Sequence, residues 1–330
     1  MLRLIIAAVN RLLGFFDLTV HKKSRLKAIE WDRKALAELY RETTCRRTGA
    51  APFPAECIVF SKDRALQLHA LLSSYRDNVV SPVPVHILYY ASNEHHQKAY
   101  DQVQALFPET AISFCKQKEA DSFRDDLLAL LAALQAEKVF FLVDDIIFTE
   151  TVDLQDFTAF DTARFVPSLR LGLNLQRCYT MLQQQPLPAF ASGVIDAGDK
   201  FCWKWSEGGL DWGYPLSVDG HFFSSHEITA MAKLIPFRAP NTFEANLQKF
   251  LNLFLSRYGI SYNKSKILNI PCNKVQQENE NICGTIDHEY LLRQWQQGFQ
   301  LDYQKLQGFL NESAHQEVEI TLTKRHDKPS

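Results

Sequence analysis

Between residues 57 and 148 the sequence alternates short apolar runs with helical patterns. The apolar runs are CIVFS (57–61), VPVHILYYAS (83–92), AISFCK (111–116) and VFFLVDDIIF (139–148). The segments between them carry apolar residues at the spacing of a helix face. Strands and helices that alternate at this spacing predict an α/β fold: a mostly parallel central sheet with helices on both faces. In such sheets, ligands gather at the carboxyl ends of the strands.

The fourth apolar run contains two adjacent carboxylates, Asp144 and Asp145. A buried strand gains nothing from them, because a buried unpaired charge costs several kcal/mol or neutralises through a shifted pKa. A strand that begins at Val139 reaches the ligand edge of the sheet at this pair. Two carboxylates at a strand end can hold a hard divalent cation, and the cation can bind a diphosphate. The alternative is a capping or turn acid.

Several other classes of function lack their usual signals in this sequence. It contains no GxGxxG, no GxxxxGK[ST] and no GxSxG motif, which disfavours a dinucleotide-binding fold, a P-loop NTPase and an α/β-hydrolase. The formal net charge of −2 provides no global field that would recruit nucleic acid. Seven scattered cysteines without a CxxC pair indicate reduced thiols and a cytoplasmic protein.

The order of these segments resembles the GT-A fold of nucleotide-sugar-dependent glycosyltransferases. The resemblance covers roughly residues 55–225 and rests on FSKDRA after the first strand, DSFRDD at a helix start, and VDD at the end of the fourth strand. It implies transfer of a sugar from a nucleotide-sugar donor to a hydroxyl acceptor, with Mn²⁺ or Mg²⁺ on a DxD motif. Val143 stands at the first acidic position of that motif. This departure leaves Asp145 as the metal ligand and Asp144 as a ribose, water or outer-shell partner.

The resemblance also assigns residues to the donor. The positions implied for nucleotide-sugar binding are Ser61, Lys62, Asp63, Arg64, Ser92, Asn93, Arg124, Asp125 and Asp144. Within this group, Arg64 suits a phosphate because a guanidinium can bind it through two hydrogen bonds. The alternative for residues 62–64 is a solvated helix start with a local ion pair. Asp125 could equally be a partner of the helix dipole.

The segment 190–228 is rich in loops and aromatic residues. Sugar rings stack on aromatic faces while neighbouring polar groups bind their hydroxyls, so we predict acceptor binding by four residues: Trp203, Trp205, Trp212 and Tyr214. A small aromatic core beneath a long loop is the alternative.

Three further residues of this segment are candidates for chemistry. The resemblance implies Asp219 as the general base that deprotonates the acceptor hydroxyl, with Asp211 as second choice. His221 would complete the metal shell with Asp144 and Asp145. The alternatives are a turn acid before Gly220 for Asp219 and a structural role for the histidine.

The chain divides into four predicted parts. Residues 1–25 form an amphipathic helix, 26–54 a second helix and a linker, 55–240 the catalytic domain, and 241–330 a helical extension with a disordered tail. Within the extension, the pattern over 241–259 predicts one long helix that a capping box with Glu244 would begin.

The amphipathic helix carries one narrow polar stripe and is followed by the basic segment HKKSR (21–25). This pattern suits the inner surface of an anionic membrane, although a helix docked on the protein's own core would look similar. By analogy, a membrane-bound enzyme of this kind would use a glycan or lipid-linked acceptor in surface polysaccharide synthesis.

Two other functions are compatible with the sequence. A nucleotidyltransferase could use the same acidic pair, although it would usually carry a glycine-rich phosphate loop after the first strand. A non-catalytic scaffold that kept the fold would explain the V-D-D departure. The sequence leaves open the sugar, the acceptor, the stereochemical outcome and the oligomeric state.

Overall fold

The structure, a computed structural model, describes residue 9 and residues 23–44, 53–196, 198–271 and 287–325. The described strands are β1 Glu56–Lys62, β2 Val85–Tyr90, β3 Ile112–Lys116, β4 Lys138–Val143, β5 Ile146–Phe148, β6 Phe165–Ser168, β7 Arg177–Cys178, β8 Gln183–Gln184, β9 Lys200–Lys204, β10 Phe222–Ser224, β11 Tyr258–Tyr262, β12 Ile267–Asn269, β13 Phe299–Leu301 and β14 Leu322–Lys324. The described α-helices are α1 Lys23–Thr44, α2 Ala65–Asn78, α3 Glu94–Leu106, α4 Phe123–Ala133, α5 Gln155–Thr158, α6 Ser225–Leu234, α7 Pro240–Leu247, α8 Leu251–Phe254 and α9 His288–Gln296.

The central sheet follows the order β10-β4-β1-β2-β3. The pairs β1–β2, β1–β4 and β2–β3 are parallel, and β10 adds an antiparallel edge to β4. Parallel neighbours need crossover connections, and the helical segments between the strands supply them. The predicted fold class, a mostly parallel α/β sheet, is confirmed.

Strand β1 is buried on both faces, as a central parallel strand must be. Cys57 and Val59 belong to one hydrophobic core, which includes residues of α2 and α3. Ile58 and Phe60 belong to a second core, which includes residues of α4 and α6. Because successive side chains alternate between the two faces, this one strand joins the two cores.

The chain beyond residue 240 differs from the predicted helical extension. Helix α7 ends at Leu247 and α8 at Phe254, and then β11 pairs with β6 and β9. Strand β12 pairs with β5, which directly follows the acidic pair. Residues beyond 240 therefore complete sheets begun earlier in the chain, because their apolar strands need those partners.

The C-terminal segment packs against the first half of the sheet. Helix α9 lies on α2 and α3, where Trp295 Nε1 donates to Gln102 Oε1 at 2.7 Å. Strands β13 and β14 form an antiparallel pair, so residues 323 and 324, the start of the predicted disordered tail, are ordered by this pairing.

Helix α1 packs against α6. Its Trp31 ring also lies 4.8 Å from the ring of Phe250, which lies between α7 and α8. Most of the predicted membrane-binding segment 1–25 lies outside the described residues, as do residues 48–52 of the linker predicted over 48–56. None of the described helices is long and apolar enough to cross a bilayer. Cys57, Cys115, Cys178 and Cys202, the cysteines within the described ranges, are all free thiols.

Candidate functional site

Asp144 and Asp145 occupy a turn between β4 and β5, at the carboxyl edge of the central sheet. The backbone fixes this turn from both sides: Asp144 N donates to Phe60 O at 3.1 Å, and Ile270 N donates to Asp145 O at 2.9 Å. The pair therefore sits where parallel α/β sheets bind ligands, as the sequence predicted.

The loop after β1 surrounds the carboxylate of Asp144. Ser61 Oγ donates to Asp144 Oδ2 at 2.8 Å, Lys62 N reaches the same oxygen at 3.3 Å, and Arg64 Nη1 donates to Oδ1 at 3.0 Å. Burial raises the pKa of Asp144, and the contacts with Arg64 and Ser61 oppose that effect. Tyr100, whose hydroxyl lies 2.6 Å from Ser61 Oγ, extends the network to α3.

Asp145 is less well satisfied than its neighbour. Its Oδ2 accepts a hydrogen bond from Arg64 Nη1 at 2.9 Å. Its Oδ1 is buried and has no hydrogen-bond partner among the described residues. Burial raises the pKa of Asp145 to about 6; the Arg64 charge opposes this, while the charges of Asp144 and Asp219 add to it.

A second ionic cluster faces the pair, centred on Arg170. Its Nη1 lies 2.7 Å from Ser217 Oγ and 3.3 Å from Asp219 Oδ2, and its Nη2 lies 3.0 Å from Asp211 Oδ1. The Arg170 side chain is only 7% exposed. Burial would lower the pKa of Arg170, but the carboxylates of Asp211 and Asp219 outweigh it and raise the pKa.

Asp219 stands between the two clusters. Its Oδ2 lies 3.5 Å from His315 Nε2. Burial alone would raise the pKa of Asp219, but the contacts with His315 and Arg170 lower it. Gly220 follows with φ +78°, and a side chain there would meet Ile267 Cδ1 at 2.6 Å, so this turn requires glycine.

Glu244 enters the same cluster from α7. Its Oε2 accepts from Val218 N at 2.9 Å, and Tyr214 also contacts it. Burial and the charge of Asp219 raise the pKa of Glu244. Glu244 therefore does not form the predicted capping box, and at the start of α7 it is Thr242 Oγ1 that accepts from Ala239 N at 3.0 Å.

The structure thus brings together residues that lie far apart in sequence. Those that meet at this edge of the sheet are Ser61, Lys62, Arg64, Asp144, Asp145, Asp211, Tyr214 and Asp219. Three members escaped the sequence analysis: Arg170, Glu244 and His315. A charge inside the apolar run FVPSLRLGL was the available signal for Arg170, and it is the same kind of signal that singled out Asp144 and Asp145.

The three tryptophans do not line the site. Trp203, Trp205 and Trp212 are fully buried and belong to one hydrophobic core. Trp203 Nε1 donates to Trp212 O at 3.0 Å, and the Trp203 indole packs so closely on Gly259 that a side chain there would clash with it. The acceptor role predicted for these tryptophans is therefore corrected to a structural one.

His221 does not join the acidic pair. It is buried, its Nδ1 donates to Pro215 O at 3.0 Å, and its ring lies 5.4 Å from that of Trp205. Burial lowers the pKa of His221 to about 4. Among the described residues, the ligand atoms of Asp144, Asp145 and His221 do not all come within 4.8 Å of one another. The structure therefore does not place His221 in the metal shell that the sequence predicted.

Arg124 and Asp125, which the resemblance implied for donor binding, lie in other surroundings. Arg124 donates to the carbonyls of Lys233 and Ile235, at 3.0 and 3.3 Å, and its guanidinium lies over the Phe237 ring. The Asp125 side chain is 84% exposed. Arg124 thus joins α4 to the end of α6, and we find no contact from either residue to the acidic pair.

Asp63, Ser92 and Asn93 shape the loops beside the site. Asp63 has φ +56°, and its Oδ1 accepts from Ser92 N at 2.7 Å. Asn93 caps α3, because its Oδ1 accepts from His95 N and His96 N. These contacts connect the loop after β1 to the loop after β2.

The acidic pair fits the hard divalent cation that the resemblance implies. Carboxylate oxygens are the ligands that Mg²⁺ and Mn²⁺ prefer. Asp145 Oδ1 is buried and has no hydrogen-bond partner among the described residues. Asp144 and Asp145 would hold the ion, in competition with Arg64, which contacts both.

Comparisons with known proteins give fold-level similarity only. No family model matches the sequence, and no curated protein matches it significantly. Solved structures that do match include S. aureus TarS 1-349, with 13% identity and a TM-score of 0.44 over 64% of this chain and 59% of that one.

Two further solved structures also match. An active-site mutant of LgtC is 17% identical, with a TM-score of 0.27 over 34% of this chain and 45% of that one. The 4-diphosphocytidyl-2C-methyl-D-erythritol synthase of Anaerococcus prevotii DSM 20548 is 9% identical, with a TM-score of 0.38 over 73% and 96%. TarS and LgtC are GT-A glycosyltransferases. At these TM-scores the function has to be argued from the site.

Proposed function

We propose that this protein is a glycosyltransferase that moves a sugar from a nucleotide-sugar donor to a hydroxyl acceptor. The observation that carries the proposal is the placement of Arg64, Asp144 and Asp145 at the ligand edge of the sheet, close enough to Asp219 for its charge to raise the pKa of Asp145. A buried arginine beside paired carboxylates can bind a diphosphate directly and can share it with a cation held by those carboxylates.

The donor would lie along the loop after β1. Arg64 would bind the diphosphate, and the backbone of residues 61–64 with Lys62 would hold the nucleoside. Ser92 and Asn93, which follow β2, lie next to this loop through the Asp63–Ser92 contact. A divalent cation on Asp145 and Asp144 would supply charge stabilisation for the leaving diphosphate. Metal dependence is part of the proposal.

Asp219 would act as the general base for direct attack. The acceptor oxygen forms a bond to the anomeric carbon as its proton passes to the Asp219 carboxylate. The bond from the anomeric carbon to the phosphate oxygen breaks, and its electron pair leaves with the nucleoside diphosphate. Contacts with His315 and Arg170 lower the pKa of Asp219, so the carboxylate is ionised before the reaction, which a general base requires.

The rest of the Arg170 cluster would orient this base. Asp211, the second candidate, already accepts from Arg170 through Oδ1 and from Gln185 Nε2 through Oδ2 at 3.2 Å. We therefore assign Asp211 to positioning Arg170. Tyr214 is half-buried beside Glu244 and is our remaining candidate for contact with the acceptor.

The finer part of the proposal concerns the acceptor. A surface glycan or lipid-linked acceptor at the membrane would suit the apolar and basic pattern of residues 1–25. Vesicle co-sedimentation tests it: the full chain should bind vesicles with anionic lipid, and a variant lacking residues 1–25 should not. Equal binding by both proteins would remove the membrane part and leave the donor site untouched.

The direct test is turnover of nucleotide sugars. A panel of donors with Mn²⁺ or Mg²⁺ should reveal hydrolysis or transfer from one nucleotide class by the wild type. Asp145→Asn should lose this activity, and the matched control Asp101→Asn, an exposed carboxylate on α3, should keep it. Binding of a nucleotide without any turnover would instead favour a scaffold, and pyrophosphate release from a nucleoside triphosphate would favour a nucleotidyltransferase.

A further inference from the structure

A second group of metal-binding side chains lies where α9 meets α3. His96 belongs to the first turn of α3, and His288 and Glu289 open α9. Their ligand atoms all lie within 4.8 Å of one another. The proposed transfer reaction does not use these residues, and the acidic pair is not part of the group.

The distances within the group fit a shared ion better than direct hydrogen bonds. Glu289 Oε1 lies 3.4 Å from His96 Nε2 and 3.6 Å from His288 Nε2. A direct bond between imidazole and carboxylate is shorter, as the 2.6 Å contact of His86 with Glu56 shows in this same chain. Around tetrahedral zinc, bonds of about 2.0–2.2 Å place neighbouring ligand atoms about 3.3–3.5 Å apart.

Both imidazoles present the same nitrogen to the centre and the other to a carboxylate. His96 Nδ1 lies 3.9 Å from Asp63 Oδ1, and His288 Nδ1 lies 3.6 Å from Asp287 Oδ1. Histidines that bind metal usually give their outer nitrogen such a partner, which fixes the tautomer and raises the basicity of the inner nitrogen. The two rings are nearly parallel, at 15°, with centroids 6.2 Å apart.

Burial supplies an independent reason to expect a ligand. His96 is 1% exposed, and its Nδ1 has no hydrogen-bond partner among the described residues. A buried imidazole whose polar atoms make only long contacts loses the hydrogen bonds it would have with water. A cation at Nε2 would replace the long contact of that atom with Glu289 and would strengthen the attraction between His96 Nδ1 and the Asp63 carboxylate.

We propose that His96, His288 and Glu289 bind one zinc ion that fastens α9 to α3 beside the donor loop. Two imidazoles and one carboxylate favour zinc over Mg²⁺ or Ca²⁺, which prefer oxygen ligands alone. Within the described ranges no fourth histidine, cysteine or acid joins the group. The proposal assigns the fourth position to a water molecule.

Asp63 connects the proposed zinc site to the loops at the donor edge. Asp63 also accepts from Ser92 N, and its loop carries Arg64. Zinc would therefore hold the two loops at the donor edge through His96 and Asp63. The C-terminal helix would be connected to the donor site by this one chain of contacts.

Zinc binding by the full-length protein tests the proposal. The metal-free protein is titrated with zinc against a chromophoric chelator, and bound metal is counted by mass spectrometry. Wild type should bind one ion per chain at this site. His288→Ala, a half-exposed residue, should weaken that binding at least about tenfold, and His96→Ala should do the same if it folds.

Matched variants separate this site from other zinc ligands. His95→Ala removes the exposed neighbour of His96 on the same helix, and Asp145→Asn removes the acidic pair's cation ligand; both should bind zinc as wild type does. Cobalt in place of zinc should give a tetrahedral spectrum without thiolate charge-transfer bands. Unchanged affinity in His288→Ala, no zinc binding by wild type, or thiolate bands would each overturn the proposal. Loss of nucleotide turnover in Asp145→Asn tests the other site and leaves this result unaffected.

Discussion

The central sheet carries buried acids at both of its ends, and the two ends treat them differently. At the amino edge, Glu56 opens β1, and its Oε1 accepts from Gln135 N and Ala136 N at 2.6 and 2.7 Å. Its Oε2 lies 2.6 Å from His86 Nε2. At the carboxyl edge, Asp145 shares Arg64 with Asp144 and keeps one buried oxygen without a described partner.

The pKa of each acid follows from this difference. Burial would raise the pKa of Glu56, but hydrogen bonds from His86, Ala136 and Gln135 outweigh it and lower the pKa. At Asp145, burial and the nearby carboxylates outweigh Arg64, and the pKa rises to about 6. A complete set of partners is what a structural acid needs. An incomplete set, at the ligand edge, is what a binding site can tolerate because the ligand supplies the rest.

Among the variants that test this difference between the two edges, Asp219→Asn should have the largest effect, a loss of donor turnover. Loss of a general base should reduce turnover of the donor by about 10²–10⁴-fold. Nucleotide affinity should stay within a few-fold of wild type, because the proposed donor contacts lie on Arg64 and the acidic pair. Kinetics and nucleotide titration of the same preparation measure both. A variant that loses affinity and turnover equally would place Asp219 in donor binding.

At the amino edge, Glu56→Gln should reduce stability without changing function. The substitution removes the charge that strengthens three hydrogen bonds, which should lower the free energy of unfolding by about 1.5–3 kcal/mol. Denaturant unfolding measures this loss, and nucleotide affinity of the folded variant should equal that of wild type. A stable variant with weakened nucleotide binding would break the comparison.

The stabilisation by Glu56 should also depend on pH in a fixed direction. Its folded pKa lies below the reference value of 4.5, so the stabilising effect is present above pH 4.5 and is lost as the pH falls through the folded pKa. The difference in unfolding free energy between wild type and Glu56→Gln should therefore be constant near neutral pH and shrink below pH 4.5. A difference that grows in acid would contradict the assigned sign.

The smallest expected effect concerns Arg124, which the resemblance implied for the nucleotide. Arg124→Gln removes two hydrogen bonds to the end of α6 and the contact with Phe237. We expect a loss of about 1 kcal/mol in stability and unchanged nucleotide affinity. A tenfold weaker affinity in nucleotide titrations would restore the role implied by the resemblance.

The parts of the molecule that the sequence predicts are those with a local signal. Alternating strand and helix patterns predict the parallel sheet, and charges inside an apolar run predict the position of Asp144 and Asp145. Asp219 was singled out only through the resemblance, since a lone acid before glycine is common in turns. The charge of Asp219 raises the pKa of Asp145, and its nearness to the acidic pair depends on the folding of a long loop.

The remaining features depend on tertiary partners. The pattern NTFEANLQKFLNLFLSRYG predicts a helix to residue 259, yet Tyr258 begins a strand because β6 and β9 flank it. Tryptophan-rich loops are equally typical of sugar sites and of cores, and burial decided for the core at Trp203 and Trp212. Glu244 has the spacing of a capping box, and the structure places it instead beside Asp219.

Nucleotide binding at the carboxyl edge tests the central claim most directly. Thermal unfolding of wild type, Asp145→Asn and the control Asp101→Asn is followed with nucleoside diphosphates, with and without Mn²⁺. A ligand at 100 times its dissociation constant stabilises the native state by about 2.7 kcal/mol. We predict such a Mn²⁺-dependent shift in wild type and Asp101→Asn, and its loss in Asp145→Asn. A shift of equal size in all three proteins, or none with any nucleotide, would contradict the donor site.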